Sequence, residues 1–318
     1  MSQPVPDEFY LPKVLLVGVG MIGGSLTLAL KKRNLVGHVI GVGRSRGNLV
    51  RAIGLGAIDE IAGSITEAAA EADLIVLATP VGAMADILSE IDQVIKPTAV
   101  VTDVGSVKHG VVGEAREKLE TSLSQFVPAH PVAGKENSGV GAADADLYID
   151  HKVAITPLVE TSEKAKEIVE LMWQAVGADV VFMGVEEHDR VLAMTSHLPH
   201  VLAYVMVNLF SSAEDSEKCY QMAAGGFYDF TRIASSDPVM WRDICKMNRR
   251  QLLEHIKGYQ NKLTHISSMI ESGNESALET FFTDAKEARA IVTEKRKKSV
   301  SDADSIPRAK RIRQQVNR

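Results

Sequence analysis

The stretch KVLLVGVGMIGGS, residues 13–25, decides the fold. Its first half is an apolar Val/Leu run of the kind found in a strand covered on both faces. Its second half sets Gly18, Gly20 and Gly23 in G-x-G-x-x-G spacing, and SLTLALKKRN (25–34) continues with helical character. Each glycine has its own physical reason. Gly18 makes the tight turn, Gly20 lets a pyrophosphate approach the backbone, and Gly23 lets the helix lie close to the strand. The helix start then offers unpaired N–H groups and a positive dipole end to the phosphates. Gly18, Gly20, Met21, Ile22 and Gly23 are therefore expected to contact a dinucleotide. Glycine-rich turns also occur without ligands, so the strand before, the helix after and a second strand at the right distance carry this reading.

Outward from the turn, six more apolar runs read as strands: HVIGVG (38–43), ADLIVLATP (72–80), TAVVTDVGS (98–106), QFVPAHP (125–131), KVAITP (152–157) and ADVVFM (178–183). Helical patterns separate several of them, which predicts a mostly parallel sheet covered on both faces. Thr79 and Pro80, where the third run ends, join the expected cofactor contacts. At about Gly184 the pattern changes to helix throughout. EEHDRVLAMTSHLPHVLAYVMVNLFSS (186–212) reads as one long helix bent near Pro199, because proline removes a backbone donor and crowds the preceding turn. Further helices are expected over 239–271 and 275–296. The class is α/β, an N-terminal Rossmann-type doubly wound sheet (1–183) followed by an all-helical domain (184–295). Residues 296–318 form a basic, core-poor tail that reads as disordered.

Composition narrows the function classes. The chain has 318 residues, 45% hydrophobic and 24% charged, enough for a sizeable core in two domains. A net charge of −6 argues against wholesale binding to nucleic acid or membranes. No apolar run approaches the ~20 residues that span a bilayer. The opening MSQPVPDEFYLP has neither a basic start nor an apolar segment and does not read as a signal peptide. Cys219 and Cys245 form no CxxC pattern and read as reduced thiols, so a cytoplasmic protein without disulfides or structural zinc is expected.

Dinucleotide folds that hold NAD usually carry Asp or Glu at the end of the second strand, on the ribose hydroxyls. Gly43 stands there, followed by Arg44, Ser45 and Arg46. Two cations and a hydroxyl suit a 2′-phosphate, so NADP is expected, with NAD as the alternative; a merely solvated basic loop is the bland reading. Two more segments fall near the carboxyl ends of strands, where such sheets place their ligands. TDVGSVK (102–108) offers Ser106, and VPAHPVAGKENSG (127–139) offers His130. Hydride loss from an alcohol carbon needs a base for the hydroxyl proton, and an imidazole of pKa ~6.5 suits that role. Ser106 would orient the hydroxyl or the imidazole, or else cap the following helix.

GVGMIGGS, TDVGSVK, AHPVAGKE, SHLPH and FTRIASSDPVMWRDI, in this order over residues 13 to 295, resemble the prephenate/arogenate (cyclohexadienyl) dehydrogenase family of tyrosine biosynthesis. The resemblance implies NAD(P)-dependent oxidative decarboxylation of prephenate to 4-hydroxyphenylpyruvate or of L-arogenate to tyrosine. It also implies a homodimer formed by the helical domain. By its motifs, His130 accepts the ring-hydroxyl proton and Ser106 hydrogen-bonds that hydroxyl and the histidine. Glu136, next to Lys135, lies near the substrate side chain; His200 and Trp241 line the pocket; Arg232 grips a carboxylate.

The residues themselves partly agree. A guanidinium fork suits a carboxylate, although Arg232 is equally readable as an inter-helix ion pair. His197 and His200 share a helical face, yet without a third ligand they predict no metal. LPHVLAYVMVNLF (198–210) is apolar on nearly every face and needs cover. Two rival readings remain. A β-hydroxyacid-type dehydrogenase would place a catalytic lysine in 186–212, which has none. A non-catalytic dinucleotide-binding regulator would need no Ser106, His130, Arg232 set.

Overall fold

The computed structural model describes residues 9–135 and 137–304, without the side chains beyond residue 295. Strands β1 (Leu11–Val17), β2 (Val36–Val42), β3 (Glu60–Ile61), β4 (Leu74–Leu77), β5 (Val100–Asp103) and β6 (Phe126–Val127) form one sheet in the order β3-β2-β1-β4-β5-β6. All of its pairings are parallel. Helices α1 (Met21–Lys32), α2 (Arg46–Gly54), α3 (Ile65–Glu71), α4 (Met84–Ile91), α5 (His109–Lys118) and α6 (Glu163–Ala175) cover it. Alternation along β1 shows both faces buried. Val14 and Leu16 pack into one apolar core, Leu15 and Val17 into another. Leu74 and Val76 against Ile75 and Leu77 repeat the pattern on β4, as a strand's period of two requires. Serine side chains close the starts of α2, α3 and α6: Ser45, Ser64 and Ser162 each accept a backbone N–H of the first turn.

The run QFVPAHP is not one strand. Pro128 has no N–H to give to a ladder, and the chain leaves the large sheet there. Its second half, β7 (Ala129–Pro131), joins a three-stranded sheet with β8 (Lys152–Ile155) and β9 (Asp179–Phe182). There β7 runs antiparallel to β8, and β8 parallel to β9. The expected mostly parallel sheet is formed by β1 to β6, and the last three runs contribute a separate small mixed sheet. His130 consequently sits within a strand, opposite Ala154, not at the end of a parallel strand.

The helical stretch from 185 is also more broken than its pattern suggested. It comprises α7 (Val185–Leu192), a π-helical turn (Ala193–His197) and α8 (Leu198–Ser211). Pro199 lies in the first turn of α8, where a missing N–H costs nothing, and the irregularity falls just before it. Then follow α9 (Ser216–Met222), α10 (Gly225–Thr231), α11 (Pro238–Met247), α12 (Arg249–Glu271) and α13 (Glu275–Asp304). Compactness divides the chain at Leu252/Leu253, so the helices between 185 and 252 fall in the same compact unit as the sheet. One reason is that Trp241 and Ile244 of α11 are buried in the core on one face of the large sheet. The second unit holds the rest of α12 and α13, joined through Gly273 in the left-handed region (φ +62). Helix α13 runs past residue 295, where the helical domain was expected to end; residues 305–318 of the expected tail lie outside the described residues.

Candidate active site

The glycine turn has the geometry its spacing demands. Gly18 has φ +95, and a Cβ there would fall 2.5 Å from the Ala78 carbonyl oxygen. A Cβ on Gly23 would meet Leu16 Cδ1 at 2.6 Å, so the helix lies against β1 as closely as glycine permits. Nothing stands within 4 Å of a Cβ on Gly20. Open space there, over a helix start with no capping side chain and no acidic residue in its first turn, fits a pyrophosphate. Met21 and Ile22 begin α1. Thr79 and Pro80 follow β4; the Thr79 hydroxyl is buried without a partner. Asn48 braces the turn, donating to the Val19 carbonyl at 2.5 Å and accepting from Val140 N at 3.2 Å.

At the end of β2, Gly43, Arg44, Ser45 and Arg46 are all exposed. Ser45 Oγ accepts from Asn48 N at 3.3 Å, which leaves its own hydroxyl hydrogen to donate.

The strand that carries His130 is tied down by a buried ion pair. Lys108 and Asp103 side chains are both fully buried and in contact. Asp103 Oδ1 accepts Ala129 N at 3.2 Å, and Lys108 Nζ donates to Ala129 O at 2.7 Å. Both backbone groups preceding His130 are thus held from β5 and its loop. Burial pushes the Lys108 ammonium below its usual value, against the pull of Asp103.

His130 is 7% exposed. Its Nδ1 lies 2.8 Å from His188 Nε2, and His188 Nδ1 lies 2.8 Å from Asp189 Oδ1. Asp189 also accepts Lys108 N at 2.8 Å and His109 N at 2.9 Å, capping α5 from another helix. Burial, then the charges of His188, Lys108 and His197, hold His130 well below the usual imidazole value. Burial lowers His188 too, with Asp189 opposing. Burial pushes the Asp189 carboxyl up, but its hydrogen bonds from His188, Lys108 and His109 outweigh that and leave it lowered.

Because Asp189 does the capping, Ser106 does not. It lies half-buried in the β5–α5 loop, and its hydroxyl makes no hydrogen bond to a described residue, His130 included. His197 Nδ1 is 3.1 Å from Asn248 Nδ2, which donates; its Nε2 is buried and makes no well-formed hydrogen bond, although the Ser106 backbone lies near enough to oppose the effect of burial. Burial lowers the His197 pKa to about 4. His200 points Nδ1 at the Ser196 carbonyl (2.8 Å) and stacks on Trp241, with centroids 4.0 Å apart. The Arg232 charge helps to lower His200, after burial, so the cation is nearby; the residue itself is exposed. Lys135 is paired on the surface with Asp144 at 2.7 Å. Glu136 lies outside the described residues. Among the described residues, no group of three or more His, Cys, Asp or Glu side chains is arranged to hold a metal.

The structure therefore gathers His130, His197, His200 and Trp241 through shared neighbours, with the Arg232 charge close to His200. Sequence reasoning missed His188 and Asp189, and gave Asp103 and Lys108 no role. An adjacent His–Asp pair in a helix start, and a lysine in an apolar turn five residues after an aspartate, were the available signals.

Comparison with known proteins agrees with this layout. A family model described as prephenate dehydrogenase, nucleotide-binding domain, matches residues 26–182, and one described as prephenate dehydrogenase, dimerization domain, matches residues 184–298. Prephenate dehydrogenase of Bacillus subtilis is 37% identical over 281 residues, which are 87% of this chain and 75% of that protein. Cyclohexadienyl dehydrogenase of Zymomonas mobilis is 33% identical over 280 residues, 87% of this chain and 94% of that protein. The crystal structure of prephenate dehydrogenase from A. aeolicus in complex with hydroxyphenyl propionate and NAD+ superposes with TM-score 0.83 at 34% identity. It covers 90% of this chain and 99% of its own.

Proposed function

This chain belongs to the prephenate dehydrogenase family, and we propose that it oxidises prephenate or L-arogenate with His130 as the general base and NADP as the preferred cofactor. The family reaction is an oxidative decarboxylation in tyrosine biosynthesis. When bound, the dinucleotide supplies the nicotinamide carbon that receives the hydride. The turn at Gly18, Gly20 and Gly23, with Met21, Ile22, Thr79 and Pro80, would hold its pyrophosphate; Arg44, Ser45 and Arg46 would hold a 2′-phosphate.

The observation that carries the reading is the state of His130. It is held from its Nδ1 side by His188, while Nε2 makes no hydrogen bond to a described residue. A neutral imidazole with a free Nε2 lone pair is what proton abstraction requires. The unoccupied Ser106 hydroxyl in the neighbouring loop supports its role as the group that orients the substrate hydroxyl. As the hydroxyl proton passes to His130, hydride leaves the same ring carbon. The C–C bond to the ring carboxylate then breaks, its electron pair completes the aromatic ring as carbon dioxide departs, and the proton held at His130 returns to the ring oxygen. Positioning, and the handling of one proton and one charge, are all the protein must supply. His200 stacked on Trp241 forms a flat aromatic wall for the ring, and Arg232 beside it anchors a carboxylate. Glu136 and Lys135 would face the substrate side chain, although Lys135 would first have to exchange Asp144 for a substrate group.

A homodimer fits the exposed face of α8, where only Leu198 and Ala203 are buried and Leu209 is 66% exposed. Among the described residues no helix is long and apolar enough to cross a membrane. Two free thiols, Cys219 and Cys245, suit the cytoplasm.

The test is a matrix of specificity constants for prephenate and L-arogenate with NAD and NADP, run on wild type and Arg232→Ala. At least one pairing should turn over. Arg232→Ala should raise KM about tenfold or more with a smaller change in kcat, as lost uniform binding does. No turnover with either substrate ends the reading; an unchanged KM with lower stability makes Arg232 a structural ion-pair residue.

A further inference from the structure

The hydrogen bonds around His130 fix which nitrogen carries each proton. Asp189 accepts two backbone N–H groups at the start of α5 and so is anchored as a carboxylate. It can only accept, hence His188 must carry its proton on Nδ1, 2.8 Å away. A neutral His188 then has a bare Nε2, which can only accept from His130 Nδ1 at 2.8 Å. His130 is left with a hydrogen on Nδ1 and a lone pair on Nε2. Reversing any link would bring two hydrogens or two lone pairs together.

We propose that His188 and Asp189 form a positioning pair that sets the tautomer of His130 and takes over the positive charge when the substrate proton arrives. As Nε2 of His130 gains the hydroxyl proton, its Nδ1 proton moves to His188 Nε2. The imidazolium then lies on His188, whose Nδ1–H remains on Asp189. No proton, electron or partner from outside is needed. The direction follows from the neighbours. His130 faces the cations of Lys108 and, when protonated, His197. His188 faces the carboxylates of Asp189 and Asp103, with Lys108 opposing. A positive charge is better placed on the second ring than on the first.

The proposal rests on His130 being the base, so His130→Asn is the control. ¹⁵N NMR of the ring nitrogens in the wild-type protein should show His130 protonated on Nδ1 and bare on Nε2; the opposite tautomer overturns the proposal without any mutant. His188→Phe should lower kcat by roughly 10²-fold, the lower end of what a positioned base contributes, with KM and cofactor affinity unchanged. His188→Gln should recover about tenfold of that loss, because its amide oxygen reaches where Nε2 stood and can accept from His130. Asp189→Asn should behave like His188→Phe, since an amide turned toward His188 imposes the wrong tautomer along the chain. Wild-type kcat in His188→Phe beside an inactive His130→Asn overturns the positioning pair and leaves the base assignment standing. An active His130→Asn removes both. Equal losses in His188→Phe and His188→Gln would show that packing, not the hydrogen bond, is what His188 supplies.

Discussion

The glycine turn and the histidine layer are built by opposite means. In the turn, backbone does the work. Gly18, Gly20 and Gly23 follow one another closely, none has a side chain, and nothing in GVGMIG titrates. In the layer, side chains do the work, and they arrive from separate places: Asp103 and Lys108 around the β5 loop, His130 from the small sheet, His188 and Asp189 from α7. The first kind of site is specified by spacing along the chain. The second exists only once strands and helices have been assembled, and its members hold one another through buried charge. The two also respond differently to perturbation, and that difference can be tested.

The largest separation should come from His130→Asn. Turnover is expected to fall by roughly 10²–10⁴-fold, the usual contribution of a positioned base. Cofactor affinity should stay as it was, because the turn is braced by Asn48 and Val140 and not by the histidines. Single-turnover kinetics and a cofactor titration on the same variant give both numbers. Near-normal turnover breaks the comparison at the layer; a large loss of cofactor affinity shows that the two regions are not separate.

Acid should distinguish them next. His130, His188 and His197 are all buried with lowered values, His197 to about 4. Between that value and the unfolded histidine's ~6.5, the unfolded chain binds more protons than the folded one. Stability therefore rises with pH across this window. The full contribution is present above about 6.5 and is lost as pH falls toward 4. His197 alone accounts for about 3 kcal/mol at ~1.4 kcal/mol per pKa unit. Denaturant unfolding at pH 7 and pH 4.5 measures the loss, and His197→Gln should reduce it. A flat profile would mean that the layer readily admits charge, contrary to its burial.

What could be read from sequence follows the same division. Val14 to Val17 announced a doubly covered strand, and the change at Gly184 announced the helices. Both are matters of local composition and period. Pro128 was in plain view, yet the run around it was read as one strand, because apolar composition outweighed the missing N–H. The π-turn over Ala193–His197 left no mark on the helical period; only Pro199 hinted at it. His130 was singled out by its motif. The side chains that hold it were not, since nothing in the spacing of Lys108 and Asp189 tells that one caps the helix of the other. Ser106 was read as a possible cap, and the cap proved to be a carboxylate from α7.

The smallest expected effect falls on the cofactor side, at the end of β2. An acidic residue there would repel a 2′-phosphate, and Gly43 supplies none. Arg44 and Arg46 are exposed on either side of Ser45, whose hydroxyl hydrogen is not used by the helix it caps. One charge-assisted hydrogen bond to phosphate contributes roughly 1.5–3 kcal/mol, and ~1.4 kcal/mol is a factor of ten. Wild type should therefore favour NADP over NAD by about tenfold or more in kcat/KM. The double change Gly43→Asp with Arg44→Ala should reverse the preference. The substitution is sterically open, because a Cβ on Gly43 comes no nearer than 3.4 Å, to Leu49 Cδ2. Turnover with the better cofactor should remain close to wild type, since none of these residues touches the histidine layer. A wild type that already prefers NAD would show that both arginines face solvent. A double variant with lowered turnover on both cofactors would show that the second strand's end and the histidine layer are coupled after all.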